Sequence, residues 1–514
     1  MREEINYILT AEQAKEVDSQ SIQMYGIPSL VLMERAALAF SEEICKNKNI
    51  TKQARILVVA GMGNNGADGL AAARILHEFG YQNISVLAIG KAEKATQEWK
   101  CQCHILDELE ISVIIRNQLE EREYIDIRES DLIIDALFGI GLKRDISGVY
   151  EKVIENINES RAEKYSIDIP SGICASTGKI MGCAVKADRT VTFGYKKLGM
   201  VLYPGSEYAG FVICREIGFP KKIMENVTPK FFTYTQEAIR LLPKRPAYSN
   251  KGTFGKILVI AGSPNMAGAA FLSASAAYAA GSGLVRIFTH EKNRTILQTL
   301  IPEAILTTYE TEKIEEKRFN EVLRWADTVV IGPGLSVSET AEQMVEYVWK
   351  FCTVPMVVDA DALNIMAKHS DWWMQRKAPA VITPHLGELA RLMGKTVESI
   401  KTNLIEEVCL FQRKMSVVLV AKDTRTIVAE NGEMIYINTS GNSGMAKAGS
   451  GDVLTGIIAA FLARRMGPFQ AASMGVYLHG LAGDEAKQCH GEYGMKATDL
   501  PKGLAELLHR HFME

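Results

Sequence analysis

Short runs of valine, isoleucine and leucine alternate with longer segments of helical periodicity along the whole chain. That pattern belongs to parallel α/β architecture, in which strands buried on both faces read as continuous apolar runs. In the first half it predicts strands at residues 55–60, 84–89, 131–135, 164–168 and 190–193. In the second half it predicts them at 256–261, 284–288, 328–331, 356–359 and 417–421, with another near Val381. The rhythm is lost between residues 223 and 255, where Pro229, Pro243 and Pro246 stand among basic and aromatic residues. Two complete α/β domains are therefore expected, residues 1–222 and 246–514, joined by a linker over 223–245. The longest uncharged stretch, 267–285, is rich in Ser, Ala and Gly and reads as a helix packed tightly on a sheet, not a membrane span.

Composition changes this picture little. A chain of 514 residues exceeds one ordinary core. With 47% hydrophobic residues and a formal charge of −3, it has no electrostatic bias toward nucleic acid or membrane. The charged start, Met1-Arg2-Glu3-Glu4, lacks the apolar core of a signal peptide. Nine cysteines without a Cys-x-x-Cys pair read as thiols in a reducing cytoplasm. That includes the Cys101-Gln102-Cys103-His104 fragment, which has no matching metal ligands nearby.

The most informative segment is residues 441–456, Gly-Asn-Ser-Gly-Met-Ala-Lys-Ala-Gly-Ser-Gly-Asp-Val-Leu-Thr-Gly, which runs into an apolar stretch. Gly449 and Gly451 leave backbone N–H groups bare at the start of what reads as a buried helix, an anion site suited to a transferring phosphate. Asp452 inside that cradle reads as a base acting on a hydroxyl. The plainer alternative is a glycine turn with Asp452 as helix cap. Companion segments are the strand ending at Gly262-Ser263, the helix start Gly268-Ala269-Ala270, the turn Gly332-Pro333-Gly334, and Asp359-Ala360-Asp361. Thr383-Pro384-His385-Leu386-Gly387-Glu388 puts His385 in a loop, as a ligand contact or as a cap. Lys422-Asp423-Thr424-Arg425-Thr426 follows a strand and offers Lys422, Thr426 and backbone to phosphates.

In the first half Gly61, Gly63 and Gly66 satisfy Gly-x-Gly-x-x-Gly between a strand and a helix. A redox dinucleotide site also wants an acid ending the next strand, which here ends in Gly90-Lys91. Asn64, Asn65 and Asp68 point instead to side-chain recognition or a cation. Asp135, Asp168 and Ser171 also follow strands and can converge on the same crevice. Asn65, Asp135 and Ser171 are hard oxygen donors suited to an alkali or alkaline-earth cation. Alternatively, each polar residue caps its own turn.

Residues 63–69, Asp135-Ala136-Leu137-Phe138-Gly139 and Asp168-Ile169-Pro170-Ser171-Gly172 resemble the NAD(P)H-hydrate epimerase family. The resemblance implies a Rossmann-like domain that interconverts the R and S epimers of hydrated NADH and NADPH. It implies substrate contacts at Asn64, Asn65, Gly66, Ala67 and Asp68, and potassium (K+) at Asn65, Asp135 and Ser171. Gly139, Ile140, Gly141, Leu142, Lys143, Arg144 and Asp145 would wrap the nucleotide, with Tyr150 alongside and Asp168 as contact and acid–base group. Ala67 stands where the family commonly has glycine, which would strain a position needing positive φ. Ile140 replaces a usual threonine.

Residues 251–263, Pro384-His385-Leu386-Gly387-Glu388 and 441–456 resemble the ADP-dependent NAD(P)H-hydrate dehydratases, of ribokinase-like α/β fold. The resemblance implies substrate contacts at Ala269, Gly332, Gly334, His385 and Asp452, with Asp452 catalytic. Lys422, Asp423, Thr424, Arg425, Thr426 and Gly451 would hold ADP or AMP, with Mg2+ accompanying ADP. Asp423 departs from a usual glycine and adds negative charge near the expected phosphates. The two families are known fused in this order, so both halves point to one small-molecule substrate, and a homo-oligomer is expected. The rival is a ribokinase-like small-molecule kinase with an N-terminal module that only binds nucleotide, because a Gly-x-Gly-Asp loop serves sugar and vitamin kinases equally well.

Overall fold

The computed structural model describes residues 3–310 and 314–513. The chain divides into two compact units, residues 6–231 and residues from 232 onward, the second also taking in residues 3–5.

The first unit holds a seven-stranded sheet in the order Ser112–Arg116, Ile84–Ile89, Ile56–Ala60, Leu132–Ala136, Glu163–Ile167, Arg189–Phe193, Phe211–Arg215, parallel throughout. Counted along the chain this is the 3-2-1-4-5-6 order of doubly wound folds, extended by one strand. Alternation splits the core in two. Ile56, Val58 and Ala60 pack with the helices Ser29–Lys46 and Asn64–Glu78, while Leu57 and Val59 pack with the helix Val149–Glu159. The five expected strands are all present. Ser112–Arg116 and Phe211–Arg215 escape the pattern because they are the edges: half-exposed, ending in arginine, with only three or four apolar residues in a row.

The expected linker over 223–245 is largely built into the two units. The helix Ile223–Val227 buries Ile223, Met224 and Val227 against Leu9, Ala14 and Val17 of the first unit. The strand Phe231–Tyr234 is buried, and Phe232 and Tyr234 stack near Tyr436 in the second unit. The prolines mark turns between these short elements, and the apolar residues between the prolines were the better signal.

In the second unit the parallel strands run Ile305–Tyr309, Leu284–His290, Lys256–Ile260, Thr328–Ile331, Met356–Val358, Ala380–Ile382, Val418–Ala421. Ile427–Ala429 and Ile435–Ile437 continue the sheet antiparallel. Both units thus place their first and fourth strands side by side, the switch point beyond whose carboxyl ends α/β sheets bind ligands. The stretch 267–285 is not one helix. The helix Ala267–Ala279 ends before a glycine turn, and a strand starts at Leu284. A side chain at Gly283 would lie 1.8 Å from the Lys251 carbonyl oxygen, so the turn admits glycine only. The helix is nonetheless tightly packed: at Gly456, in the helix Ser450–Ala463, a Cβ would stand 2.1 Å from the Ser273 carbonyl oxygen. Among the described residues no helix is long and apolar enough to cross a membrane.

Candidate active sites

In the first unit the switch point brings Gly61 against Leu137: a Cβ on Gly61 would lie 2.1 Å from the Leu137 carbonyl oxygen. The residues Asn64 to Asp68 are not loop; they form the first turns of the helix Asn64–Glu78. Gly66 lets that helix approach, since a Cβ there would meet the Gly61 carbonyl oxygen at 1.9 Å. Ala67 is buried within the same turns in helical backbone, so the alanine carries no strain.

Asp135 is fully buried at its strand end. It accepts hydrogen bonds from Ser166 Oγ at 2.7 Å, Ser171 N at 2.8 Å and Ser171 Oγ at 2.5 Å. Burial raises its pKa against these bonds, and among the described residues no Lys or Arg pairs with it. Ser171 in turn bonds both main-chain atoms of Phe138, next to Gly139, against which the Asn65 side chain lies. The Asn65 amide has a buried end, Nδ2, without a hydrogen-bond partner. Because amide orientation is assigned from such bonds, the reverse orientation places an oxygen there. The three expected cation ligands are therefore together: a buried carboxylate lacking a countercharge, a hydroxyl and an orphaned amide. They fit a hard cation.

Beside them lies a cavity of about 170 Å³ lined by Asn64, Asp68, Ile140 and Asp168, and by residues outside the expected set, notably Asp18, Tyr195 and Lys197. Asp168 has a φ of 65°, a conformation Asp tolerates better than most residues. The turn aims its carboxylate at Lys197, whose buried ammonium bonds Asp168 and also Thr192 Oγ1 at 2.9 Å. Lys197 gave no signal in sequence, since nothing in Tyr195-Lys196-Lys197 marks one lysine as buried. The segment 139–145 divides: Ile140 faces the cavity, Leu142 packs in the opposite core layer, and Gly141, Lys143, Arg144 and Asp145 lie toward solvent. Tyr150 packs on Phe138 with ring centroids 4.9 Å apart and tilted at 54°, and donates to the Ile89 carbonyl at 3.2 Å.

In the second unit Gly449 caps the helix Ser450–Ala463 in left-handed conformation (φ 93°), and no side chain caps its first turn. Asp452 is its third residue and not its cap, so the plainer alternative fails. Its carboxyl is pushed up to about 6, chiefly by burial and then by the charge of Asp359, against the ammonium of Lys422. Lys422 Nζ bonds Asp359 Oδ1 at 2.7 Å, and both flank Gly451, where a Cβ would sit 3.2 Å from that ammonium. Asp359 is nearly fully buried and stood outside the expected set. Gly332 is locked over it: at φ 122° a Cβ would lie 1.9 Å from the Asp359 carbonyl oxygen. Ala269 and Gly334 touch across the neighbouring turns.

His385 combines both readings left open for it. Its Nδ1 caps the helix Leu386–Met393 by accepting from Gly387 N at 3.0 Å and Glu388 N at 3.2 Å, while the ring stays 59% exposed. Accepting at Nδ1 fixes the proton on Nε2. Burial and the Lys422 charge both lower its pKa, which keeps it neutral. A bridge joins His385 to Lys422, so loop and hairpin are adjacent. The residues Lys422 to Thr426 form that hairpin turn, with Asp423 and Thr424 exposed and the Thr426 hydroxyl donating to the Asp423 carbonyl at 3.2 Å. One further group stands at the cradle. His479 is driven down to about 4 by burial, bonds the Ser450 main chain, and leaves Nε2 without a partner, as is the buried Ser450 hydroxyl.

Residues 29–199 match the family described as YjeF-related protein N-terminus, and residues 257–506 match that described as NAD(P)H-hydrate dehydratase. The bifunctional NAD(P)H-hydrate repair enzyme Nnr of Thermofilum pendens is 35% identical over 97% of this chain and 96% of its own length. That of Moorella thermoacetica is 36% identical over 96% and 95%. This chain belongs to the bifunctional NAD(P)H-hydrate repair enzymes. Among solved structures, an ADP/ATP-dependent NAD(P)H-hydrate dehydratase from Bacillus subtilis, co-crystallised with ATP and Mg2+, is similar. It is 32% identical and covers 54% of this chain and 97% of its own, at a TM-score of 0.48. The two family matches fall one in each unit, around the cavity and the cradle respectively.

Proposed function

We propose that this chain repairs hydrated NADH and NADPH: residues 1–222 interconvert the R and S epimers, and residues 246–514 dehydrate the S form using ADP. The observation that carries this is the pairing of two sites in one chain, a carboxylate-lined cavity and a phosphate cradle containing a base, with relatives of that name aligned over both. A small-molecule kinase leaves the first site unexplained.

Hydroxide is a poor leaving group, and phosphoryl transfer from ADP converts it into phosphate. Asp452, at the helix N-terminus, takes the hydroxyl proton as the oxygen attacks. The bare N–H groups of that first turn and the helix dipole stabilise the equatorial charge. Loss of phosphate with a ring proton then restores the nicotinamide, leaving AMP. Lys422 to Thr426 and Gly451 hold the nucleotide; Ala269, Gly332, Gly334 and His385 hold the hydrated ring. Mg2+ binds through one or two carboxylates plus phosphates, and Asp359 and Asp361, both felt electrostatically by Asp452, fit that need. It would neutralise phosphate charge. In the first unit Asn64, Asp68 and Ile140 contact the substrate in the cavity, the exposed part of 139–145 borders it, and Asp168 moves its proton. Asn65, Asp135 and Ser171 would hold potassium, which supplies the countercharge Asp135 lacks.

All nine cysteines are free, which supports the cytoplasm as its compartment. Exposed Met24, Tyr25, Leu30, Val31 and Leu38, on the second helix and the turn before it, support a homo-oligomer. The test is recovery of NADH absorbance from a mixture of hydrated epimers with ADP and Mg2+, beside ATP. Complete recovery with ADP is expected. Recovery that stops at the S fraction would remove the epimerase, and a stable phosphorylated product would restore the kinase.

A further inference from the structure

The cavity of the first unit holds more ionisable groups than binding a hydroxylated ring requires. Asp18, Asp68 and Asp168 line it with Lys197, and the remaining wall is mostly apolar, including Leu9, Leu32, Phe193 and Phe219. The lysine is fully engaged: besides Asp168 it bonds Thr192 Oγ1 at 2.9 Å and the Phe193 carbonyl at 3.2 Å. Three carboxyl groups therefore share one fixed ammonium, which lies on Asp168. Burial first, then the charges of Asp168 and Asp18, push Asp68 well above the usual carboxylate range. Burial brings Asp18 to about 6. A carboxyl that keeps its proton and one held beside an ammonium thus face one space, the arrangement that assigns acid and base.

We propose that Asp68 and Asp168 act as proton donor and acceptor at the hydroxyl-bearing ring carbon, with Lys197 as the positioning residue that keeps Asp168 the acceptor, and that epimerisation runs by loss and return of water through a cationic ring. This rests on the epimerase reading above. Asp68 gives its proton to the ring hydroxyl; the C–O bond breaks with its pair on oxygen, and water leaves. The nitrogen lone pair closes an N=C double bond, and the ring becomes a cation. Water adds to the opposite face, the N=C pair returns to nitrogen, and Asp168 takes the proton. One water leaves and one enters, and one proton passes from Asp68 to Asp168; solvent exchange resets the pair. The excess of carboxyl groups over ammonium favours a transient cation, whereas ring opening to a neutral aldehyde gains nothing from that field.

The test follows a single purified epimer in oxygen-18 water, reading epimer ratio by chromatography and isotope content by mass spectrometry against an enzyme-free control. Each epimerisation catalysed by the unaltered chain is expected to bring in one solvent oxygen; epimerisation that retains the substrate oxygen overturns the proposal without needing a variant. Lys197→Met is expected to lower kcat on the order of 10²-fold with KM for the hydrate little changed, and Lys197→Arg to recover part of it. Asp68→Asn should lower kcat by a similar factor. Wild-type kcat in Lys197→Met or Asp68→Asn overturns the assignment of roles. An unaltered chain that does not interconvert epimers removes the epimerase reading itself, a distinct result from interconversion with retained oxygen.

Discussion

The two sites occupy the same place in two sheets of the same strand order, yet they are made of opposite materials. The first is a cavity walled by side chains, in which Asp18, Asp68 and Asp168 surround one lysine. The second is main chain: a left-handed glycine cap, a first helical turn that no side chain caps, and a glycine turn locked over Asp359. Each contains an aspartate–lysine pair, Asp168–Lys197 and Asp359–Lys422, but the pairs serve different ends. In the first the paired aspartate faces the cavity itself. In the second the paired aspartate is buried behind Gly451, and Asp452, which has no ammonium bonded to it, faces the cradle. Moving a proton on a small ring needs ionisable groups of different state in a dry space. Moving a phosphoryl group needs fixed N–H donors and room.

Substitutions separate the two sites by size of effect. Asp452→Ala is expected to cut NADH recovery from either epimer by about 10³-fold or more, while epimer interconversion followed by chromatography continues at the normal rate. Retained recovery would take the base out of the cradle. Asp168→Ala is expected to slow interconversion by about 10²–10³-fold, so that a mixture of the two epimers recovers quickly to the S fraction and then stalls. A variant that repairs both epimers at equal speed would move the acid–base role elsewhere in the cavity.

The pH dependence sharpens the contrast. Asp452 must be ionised to act as base, and burial with the Asp359 charge holds its carboxyl at about 6. The dehydratase rate should therefore fall as pH drops through about 6 and level off above it. Because the Lys422 ammonium lowers that value, Lys422→Met should move the midpoint upward; a downward move would contradict the assigned pairing. The smallest effect is expected at Asp423, exposed on the hairpin turn. Asp423→Gly should tighten ADP by about five-fold or less, the scale of an exposed charge interaction, measured as KM for ADP.

Central strands were legible because burial on both faces writes an unbroken apolar run, as in Ile56–Ala60 and Val418–Ala421. Edge strands such as Ser112–Arg116 and Ile305–Tyr309 were not, because half-exposed strands carry polar residues. The cradle was legible for a similar reason: its parts are contiguous, and glycines followed by an acid and an apolar run have few other uses. The cavity was only half legible. Asp68 and Asp168 announce themselves at strand and helix ends, whereas Lys197 and Asp18 lie in segments with no distinguishing local pattern.

The amino-acid sequence by itself determined that two α/β units exist, where their strand-end loops fall, and that a carboxylate stands just after a glycine turn at the start of a buried helix. These follow from local periodicity and from glycine's conformational freedom, which act over a few residues. Tertiary structure alone decided which aspartate carries an ammonium, that Asp359 backs Gly451, and that Asp135 is buried without a countercharge. Each depends on desolvation and on distances between residues far apart in the chain, such as the 2.7 Å from Lys422 to Asp359, and no local pattern encodes either.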